Sequence, residues 1–218
     1  MFKHEKHLLR PVRVDRPNPQ YAALLVEQLG GPNGELTAGM QYIAQSFRVK
    51  DPEIKDLMLD IGAEELGHME MVATAVNLLN GHSVDSQKVT SGNIEMHVLG
   101  GLSPMLINAS GIPWSANCVS VTGDLAADLQ SNMAAELRAK VVYEYLYRQI
   151  NDSGVRDMID FLLNREEAHN DLFRKAFERI QGTGATKNFG TTYDSQMYIN
   201  TSQPGRYFPN PNQPQPRH

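Results

Sequence analysis

Two stretches of the chain carry the same spacing of acidic and imidazole side chains. In each, a glutamate precedes a Glu-x-x-His motif by thirty residues, and the sequence contains no other Glu-x-x-His motif. The residues are Glu35, Glu65 and His68 in the first stretch, and Glu136, Glu166 and His169 in the second. Because residues three positions apart on a helix share a face, each motif directs one carboxylate and one imidazole toward a common point.

The similarity between the two stretches extends past the acids. The frame Glu35-Leu36-x-Ala38-x-x-x-Tyr42 recurs as Glu136-Leu137-x-Ala139-x-x-x-Tyr143. A single Glu-x-x-His is usually a chance match, but the doubled set predicts a site for two divalent cations, which balance four carboxylates on apolar helix faces. A glutamate from each of two helices, with a Glu-x-x-His from each of two others, is the arrangement of ferritin-like di-iron and di-manganese proteins.

Four residues near the motifs have simpler interpretations. We expect Tyr143 to pack in the core, as aromatic side chains at helical spacing usually do. Tyr42 can pack there as well, or its hydroxyl can hydrogen-bond near the metals. Glu64 and Glu167, which flank the motif residues, are expected to face solvent.

Hydrophobic periodicity predicts an all-α protein with four helical segments. Asp51 followed by Pro52 is typical of a helix start, and Asp124 is a second candidate cap. Glycines follow the second and fourth segments, as they commonly follow helix ends. The predicted segments are residues 21–49 with a break at 30–34, 51–81, 124–150 and 153–180.

The segments between and around these helices predict a ferritin-like four-helix bundle. Residues 81–123 are rich in Gly, Ser, Pro and Asn, and are expected to form the long crossover that such a bundle requires between its helix pairs. Residues 1–20 are predicted to be an extended arm because prolines interrupt them. We expect one domain at 1–182, including this arm, and an irregular Pro- and Asn-rich C-terminal tail at 183–218.

Composition narrows the function classes. The chain has 218 residues, of which 41% are hydrophobic, enough for one domain with a sizeable core. Its net charge of −5 has no long run of either sign, which favours neither nucleic acid nor a membrane surface as partner. Cys118 is the only cysteine, which excludes an intrachain disulfide and indicates a reducing compartment, the cytoplasm. No apolar segment has the length of a signal peptide core at the N-terminus or of a membrane span.

At the motif residues, the chain resembles the manganese catalase family, and the resemblance covers roughly residues 1–205. The N-terminal arm and the crossover around Pro113-Trp114 and Thr122-Gly123-Asp124-Leu125 are also similar to the family. The segments that resemble the four metal-ligand regions are Leu29-Gly30-Gly31-Pro32-Asn33-Gly34-Glu35-Leu36-Thr37-Ala38, Ala63-Glu64-Glu65-Leu66-Gly67-His68, Ala134-Ala135-Glu136 and Arg165-Glu166-Glu167-Ala168-His169.

The resemblance implies disproportionation of hydrogen peroxide to water and oxygen at a dimanganese centre. It implies that Glu65 bridges the two ions, and that Glu166 is an acid or base rather than a ligand. Spacing alone would treat Glu166 as the equivalent of Glu65. The ligands that it implies are Glu35, Glu65, His68, Glu136 and His169.

The resemblance also implies a homohexamer with interlocked termini, and some family members bind a structural calcium. Asp56 and Asp60 fall where the helical acids of that calcium site would lie, and Asn200 and Ser202 are candidate tail ligands. The chain is shorter than the longer-tailed members of the family.

Two alternatives to a manganese catalase stay open at this point. One is a di-iron oxidase or peroxidase of the ferritin and rubrerythrin type, which would need an outside reductant. The other is a structural protein of the spore coat with a relict site, since the family includes catalase-like coat proteins.

Overall fold

The structure is a computed structural model that describes residues 5–81 and 106–181, all of which lie within one compact unit, Met1–Thr186. No β-strand occurs among these residues. Instead, they form helices and connecting turns, with one isolated bridge between Ile107 and Pro113. The helices are α1 (Pro19–Leu25), α2 (Glu27–Gly30), α3 (Glu35–Ser46), α4 (Pro52–Asn80), α5 (Leu125–Gln149) and α6 (Ser153–Ile180), with a 3₁₀ turn at Ala116–Cys118.

The three long helices begin at aspartate caps, two of which, Asp51 and Asp124, are predicted from the sequence. The Asp51 carboxylate accepts from the backbone N–H groups of Glu53 and Ile54 at the start of α4. Asp124 and Asp152 accept in the same way at the starts of α5 and α6. These bonds satisfy backbone donors that have no partner within the helix. Gly81, with φ of 78°, closes α4 in the backbone region that glycine adopts without strain.

The first predicted segment is divided into α1, α2 and α3. α1 begins inside the predicted arm, because Asn18 caps it and Pro19 at the first helical position lacks the N–H that would otherwise need a partner. The predicted break at 30–34 is confirmed: α3 starts directly after it, at Glu35, and ends at Ser46 rather than at residue 49.

The bundle pairs α3 with α4 and α5 with α6, which confirms the predicted all-α four-helix architecture. Two apolar clusters fill its interior, and a buried polar layer lies between them. One cluster includes Leu25, Leu29, Met71, Val72, Leu79, Leu146, Met158 and Leu162. The other includes Ile54, Met58, Ile61, Leu129, Phe173 and Ile180. Residues 82–105 of the predicted crossover and the predicted tail lie outside the described residues.

The described end of the crossover is attached to the bundle by a network of amide hydrogen bonds. Gln41 on α3 donates to Asn132 on α5 at 2.9 Å, and Asn132 donates to Gln45 at 2.6 Å. The Ser120 backbone donates to Gln41 and accepts from Gln45. The three side chains are buried and joined in a closed network, so they link α3, α5 and the crossover. In the described part of the chain, no helix is long and apolar enough to cross a membrane.

Two glycines allow α3 and α4 to approach closely beside the polar layer. A Cβ atom at Gly39 would lie 3.2 Å from the carbonyl oxygen of Gly62 and 3.3 Å from Cβ of Glu65. A larger side chain at Gly39 would therefore separate the helices at the level of Glu65.

We expect Gly39→Val to lower the free energy of unfolding by about 1–3 kcal/mol more than Gly67→Val does, because it overpacks a helix interface. Gly67 is a matched control: it also lies inside a helix, but a Cβ there would meet only the side chain of Leu9. Urea unfolding of both variants measures the difference, and equal losses would contradict it.

Candidate metal centre

The structure brings all six motif residues together in the polar layer. Each is at most 2% exposed, and they come from four helices. Their donor atoms form two groups, and within each group the atoms lie within 4.8 Å of one another. Glu65 belongs to both. The groups are Glu35, Glu65, His68 and Glu166, and Glu65, Glu136 and His169.

The two histidines face different oxygens of Glu65. Nδ1 of His68 lies 3.0 Å from Oε2 of Glu65 and 3.7 Å from Oε2 of Glu35. Nδ1 of His169 lies 2.7 Å from Oε1 of Glu65 and 3.7 Å from Oε2 of Glu136. Each oxygen of Glu65 therefore serves one half of the site, which is the geometry that a bridging carboxylate needs.

The donor set fits a pair of divalent cations. Several of its buried polar atoms have no hydrogen-bond partner, although buried polar groups are normally paired. Carboxylates with imidazoles and no thiolate suit manganese or iron. On the side of the shared Glu65, the unpartnered atoms are Oε1 of Glu65, both carboxylate oxygens of Glu136, Oε1 of Glu166 and Nδ1 of His169.

Burial and mutual repulsion raise the pKa values of three of the four acids. Burial acts in the same direction on Glu65, but the charge of His68 and hydrogen bonds with His169 and His68 outweigh it and lower the pKa of Glu65. Burial, and then the charge of Glu65, raises the pKa of Glu35 to about 8. The pKa of Glu136 is raised by the same two causes. Burial, followed by the charges of Glu35, Glu65 and Glu136, raises the pKa of Glu166 well above its usual value. The protein without metal thus favours protons at positions where cations would otherwise neutralise the acids.

The two tyrosines connect the halves of the site. The expectation that Tyr143 packs in the core is confirmed, since it is fully buried in the apolar cluster beside the site, but Tyr143 also makes a polar contact that the expectation did not include. Its hydroxyl donates a hydrogen bond to Oε1 of Glu35. Tyr143 lies on α5 and reaches the glutamate of α3 because the two helices face each other across the layer. Tyr42 on α3 is fully buried, packs edge-on against Phe173 at 4.8 Å, and has a hydroxyl without a hydrogen-bond partner.

The expectation that Glu64 faces solvent was wrong. Its side chain is only 27% exposed, and its oxygens lie within 3.4 Å of Nε2 of His68 and 3.2 Å of Nε2 of His169. Arg165 draws the carboxylate inward by a two-point hydrogen bond. By contrast, the Glu167 side chain is 59% exposed and pairs with Lys140.

A cavity of about 30 Å³ reaches the polar layer between α3 and α5. This volume holds a molecule or two of the size of water. Glu136, Glu166 and Tyr42 line it on the side of the metal donors, and Asn33 and Arg138 line it elsewhere. The Arg138 guanidinium donates to the Asn33 side chain at 3.0 Å.

Only two of the four predicted calcium ligands lie among the described residues. Asp56 and Asp60 lie one turn apart on the exposed face of α4. Asn200 and Ser202 lie outside the described residues, so the calcium site stays a prediction.

Comparisons with known proteins support a metal site of this kind. Residues 1–204 match the protein-family model for manganese containing catalase. The chain is 64% identical over 218 residues to a probable manganese catalase of Clostridium acetobutylicum, covering 99% of this chain and 97% of that one. It is 37% identical over 181 residues to protein CotJC of Bacillus subtilis, covering 83% and 95%.

A solved structure gives the same result. KatB, a manganese catalase from Anabaena PCC7120, matches with a TM-score of 0.79 and 34% identity, over 88% of this chain and 86% of that one. The chain therefore belongs to the manganese-containing catalase family, and its helices form the ferritin-like bundle predicted from the sequence.

The raised pKa of Glu35 makes metal binding depend on pH. Below about pH 8 a cation must displace the Glu35 proton. The stability of the metal-free protein changes with pH in the opposite direction to metal binding. The contribution of the Glu35 proton to folding stability is fully present below the unfolded pKa of 4.5 and is lost as the pH rises through about 8.

We therefore expect the rise in unfolding temperature caused by Mn²⁺ to be larger above about pH 8 than below it. Thermal unfolding with and without Mn²⁺ across this range measures the difference, and the metal-free protein at each pH is the control. A rise that is constant, or that is larger at low pH, would contradict the idea that the cation displaces protons from these buried donors.

Proposed function

We propose that this protein is a catalase that disproportionates hydrogen peroxide to water and oxygen at a pair of manganese ions. The observation that carries the proposal is the pair of buried donor groups that share Glu65. Membership of the manganese catalase family supports the choice of metal and of substrate.

Five residues are proposed to hold the two ions. Glu65 is the shared carboxylate, because each of its oxygens faces a different histidine. Glu35 and His68 complete one half, and Glu136 and His169 complete the other. When bound, the manganese pair supplies two-electron redox chemistry, cycling between Mn(II) and Mn(III) as one peroxide is reduced to water and a second is oxidised to oxygen.

Glu166 is proposed to move the protons of the reaction. Burial, followed by the charges of the neighbouring glutamates, raises its pKa well above the usual value and so favours a bound proton, and its unpartnered Oε1 is free to exchange one. It also lines the cavity beside the metal donors, where a molecule as small as peroxide fits. A buried carboxyl group with these properties suits a general acid and base.

Tyr143 and Tyr42 support this arrangement from the opposite helices. The Tyr143 hydroxyl holds Glu35 in place through a hydrogen bond. Burial, and then the charge of Glu136, raises the pKa of Tyr42 well above its usual value, so its hydroxyl stays protonated and is available as a donor near that carboxylate.

The finer assignments rest on family resemblance. We propose a homohexamer, a cytoplasmic location, and a calcium site at Asp56 and Asp60 with Asn200 and Ser202. Size-exclusion chromatography with light scattering tests the hexamer, cell fractionation tests the location, and calcium analysis of the purified protein tests the calcium site. The spore coat is the alternative location that the resemblance includes.

Metal analysis combined with an oxygen-electrode assay tests the function directly. A catalase releases oxygen from peroxide alone and contains manganese after purification. A di-iron oxidase or peroxidase would contain iron and would need an added reductant. A structural coat protein with a relict site would release no oxygen even after loading with Mn²⁺.

Substituting glutamine for Glu65 and, separately, for Glu166 distinguishes the roles of the two residues. We expect Glu65→Gln to abolish binding of the manganese pair, because each half of the site loses its shared ligand. We expect Glu166→Gln to retain two manganese ions and to lower kcat about 10²- to 10⁴-fold, the usual contribution of a general acid or base.

Inductively coupled plasma analysis and the oxygen assay measure these two outcomes. Glu167→Gln is the matched control: it changes the neighbouring acid, which pairs with Lys140 at the surface, and it should change neither property. Full activity of Glu166→Gln would show that the proton-transfer role is misassigned.

A further inference from the structure

Glu64 lies behind the two histidines, on the side away from the shared carboxylate. Its Oε1 is 3.4 Å from Nε2 of His68, and its Oε2 is 3.2 Å from Nε2 of His169. The other nitrogen of each ring, Nδ1, faces Glu65. The imidazoles stack with their centroids 5.6 Å apart and their planes 24° apart, so one carboxylate reaches the outer nitrogens of both.

Arg165 fixes the position of this carboxylate. Its Nε donates to Oε1 of Glu64 at 2.6 Å, and its Nη2 donates to Oε2 at 3.3 Å. Two parallel contacts of this kind set the plane of a carboxylate as well as its position. Arg165 lies on α6 and Glu64 on α4, so the pair also connects the two helices that carry the histidines.

The two residues occupy equivalent places in the two motifs. Glu64 directly precedes the first Glu-x-x-His, and Arg165 directly precedes the second. The pseudo-symmetry of the site is broken here, because one motif supplies the carboxylate and the other supplies its counter-ion. A single acid is therefore left to serve both histidines.

A histidine that binds a metal through Nδ1 carries its proton on Nε2, and the partner of that Nε2–H fixes the tautomer and the ring orientation. We propose that Glu64, held by Arg165, is a positioning residue that orients both histidines and so supports both manganese sites together. This inference rests on the proposed dimanganese function.

Because one carboxylate serves both histidines, its removal has an effect that the removal of a separate partner for each histidine would not have. If each histidine had its own carboxylate, the loss of one would weaken one metal site and leave the other. Because Glu64 contacts both rings, its loss weakens both steps of a manganese titration. A salt bridge that only joined α4 to α6 would affect folding stability rather than the two binding steps.

The experiment is a Mn²⁺ titration of the metal-free full-length protein against a chelating indicator. The variants are Glu64→Gln, Glu64→Asp and the control Glu167→Gln, which changes the acid that flanks the other motif and pairs with Lys140 at the surface. Circular dichroism and thermal unfolding of each metal-free variant show whether the fold is intact.

We expect Glu64→Gln to weaken both binding steps about 10- to 100-fold, the usual effect of losing such a partner, because the amide can accept from only one ring. Glu64→Asp keeps the charge but is one methylene shorter, and it should also weaken both steps. It carries the test if the glutamine variant does not fold. Glu167→Gln should bind as the wild type does.

The positioning role would be overturned if the folded Glu64 variants bound manganese with wild-type affinity, or lost no more affinity than Glu167→Gln does. The dimanganese site itself would still stand. Weakening of one step alone would overturn the sharing of Glu64. If the wild-type protein itself bound no manganese pair, the proposed function would fail with it.

Discussion

The burial of four carboxylates between two apolar clusters is the constraint on which the rest of the structure depends. Isolated charges in such a place cost several kcal/mol each, and the raised pKa values of Glu35, Glu136 and Glu166 show how the metal-free protein limits that cost, by keeping protons. The proposed pair of cations would remove it more completely, since it would supply four positive charges and the coordination that the unpartnered atoms lack. The chemistry of the site and the stability of the fold are therefore coupled through the same acids.

The site is built from two copies of one pattern, and the differences between the copies are as informative as the match. Each motif residue on α3 and α4 has a counterpart 101 positions later on α5 and α6. Glu65 bridges the two donor groups, whereas its counterpart Glu166 belongs to one of them only. Glu64 is an acid, and its counterpart Arg165 is a base. A symmetric frame thus gives the shared ligand and the proposed proton carrier different surroundings, so that equivalent glutamates take different roles.

Much of this arrangement follows from spacing alone. The aspartate caps fix the starts of α4, α5 and α6, and the three-residue interval of each motif places Glu65 with His68 on one helix face wherever the helix lies. What the spacing does not contain is how neighbouring helices are turned toward each other. Tyr143 reaches Glu35, and Glu64 turns inward to Arg165, because of contacts between helices that are far apart in sequence. The rule that an acid flanking a buried motif faces solvent fails at Glu64 for this reason and holds at Glu167.

The precision of the site has its origin in the apolar packing on either side of it. Along α4, Glu65 and His68 follow Ile61 of one cluster and precede Met71 of the other, and along α6 Glu166 and His169 lie between Leu162 and Phe173. Both histidine-bearing helices are thus held above and below the metal donors by close-packed side chains, which tolerate little displacement. Because the proposed ligands lie on helices rather than on loops, and because Gly39 lets α3 approach Glu65 closely, their donor atoms are held in position without a metal. Metal binding therefore requires little ordering of the chain. For the same reason, the small cavity beside Glu166 can keep its shape during a reaction whose substrate is hardly larger than water.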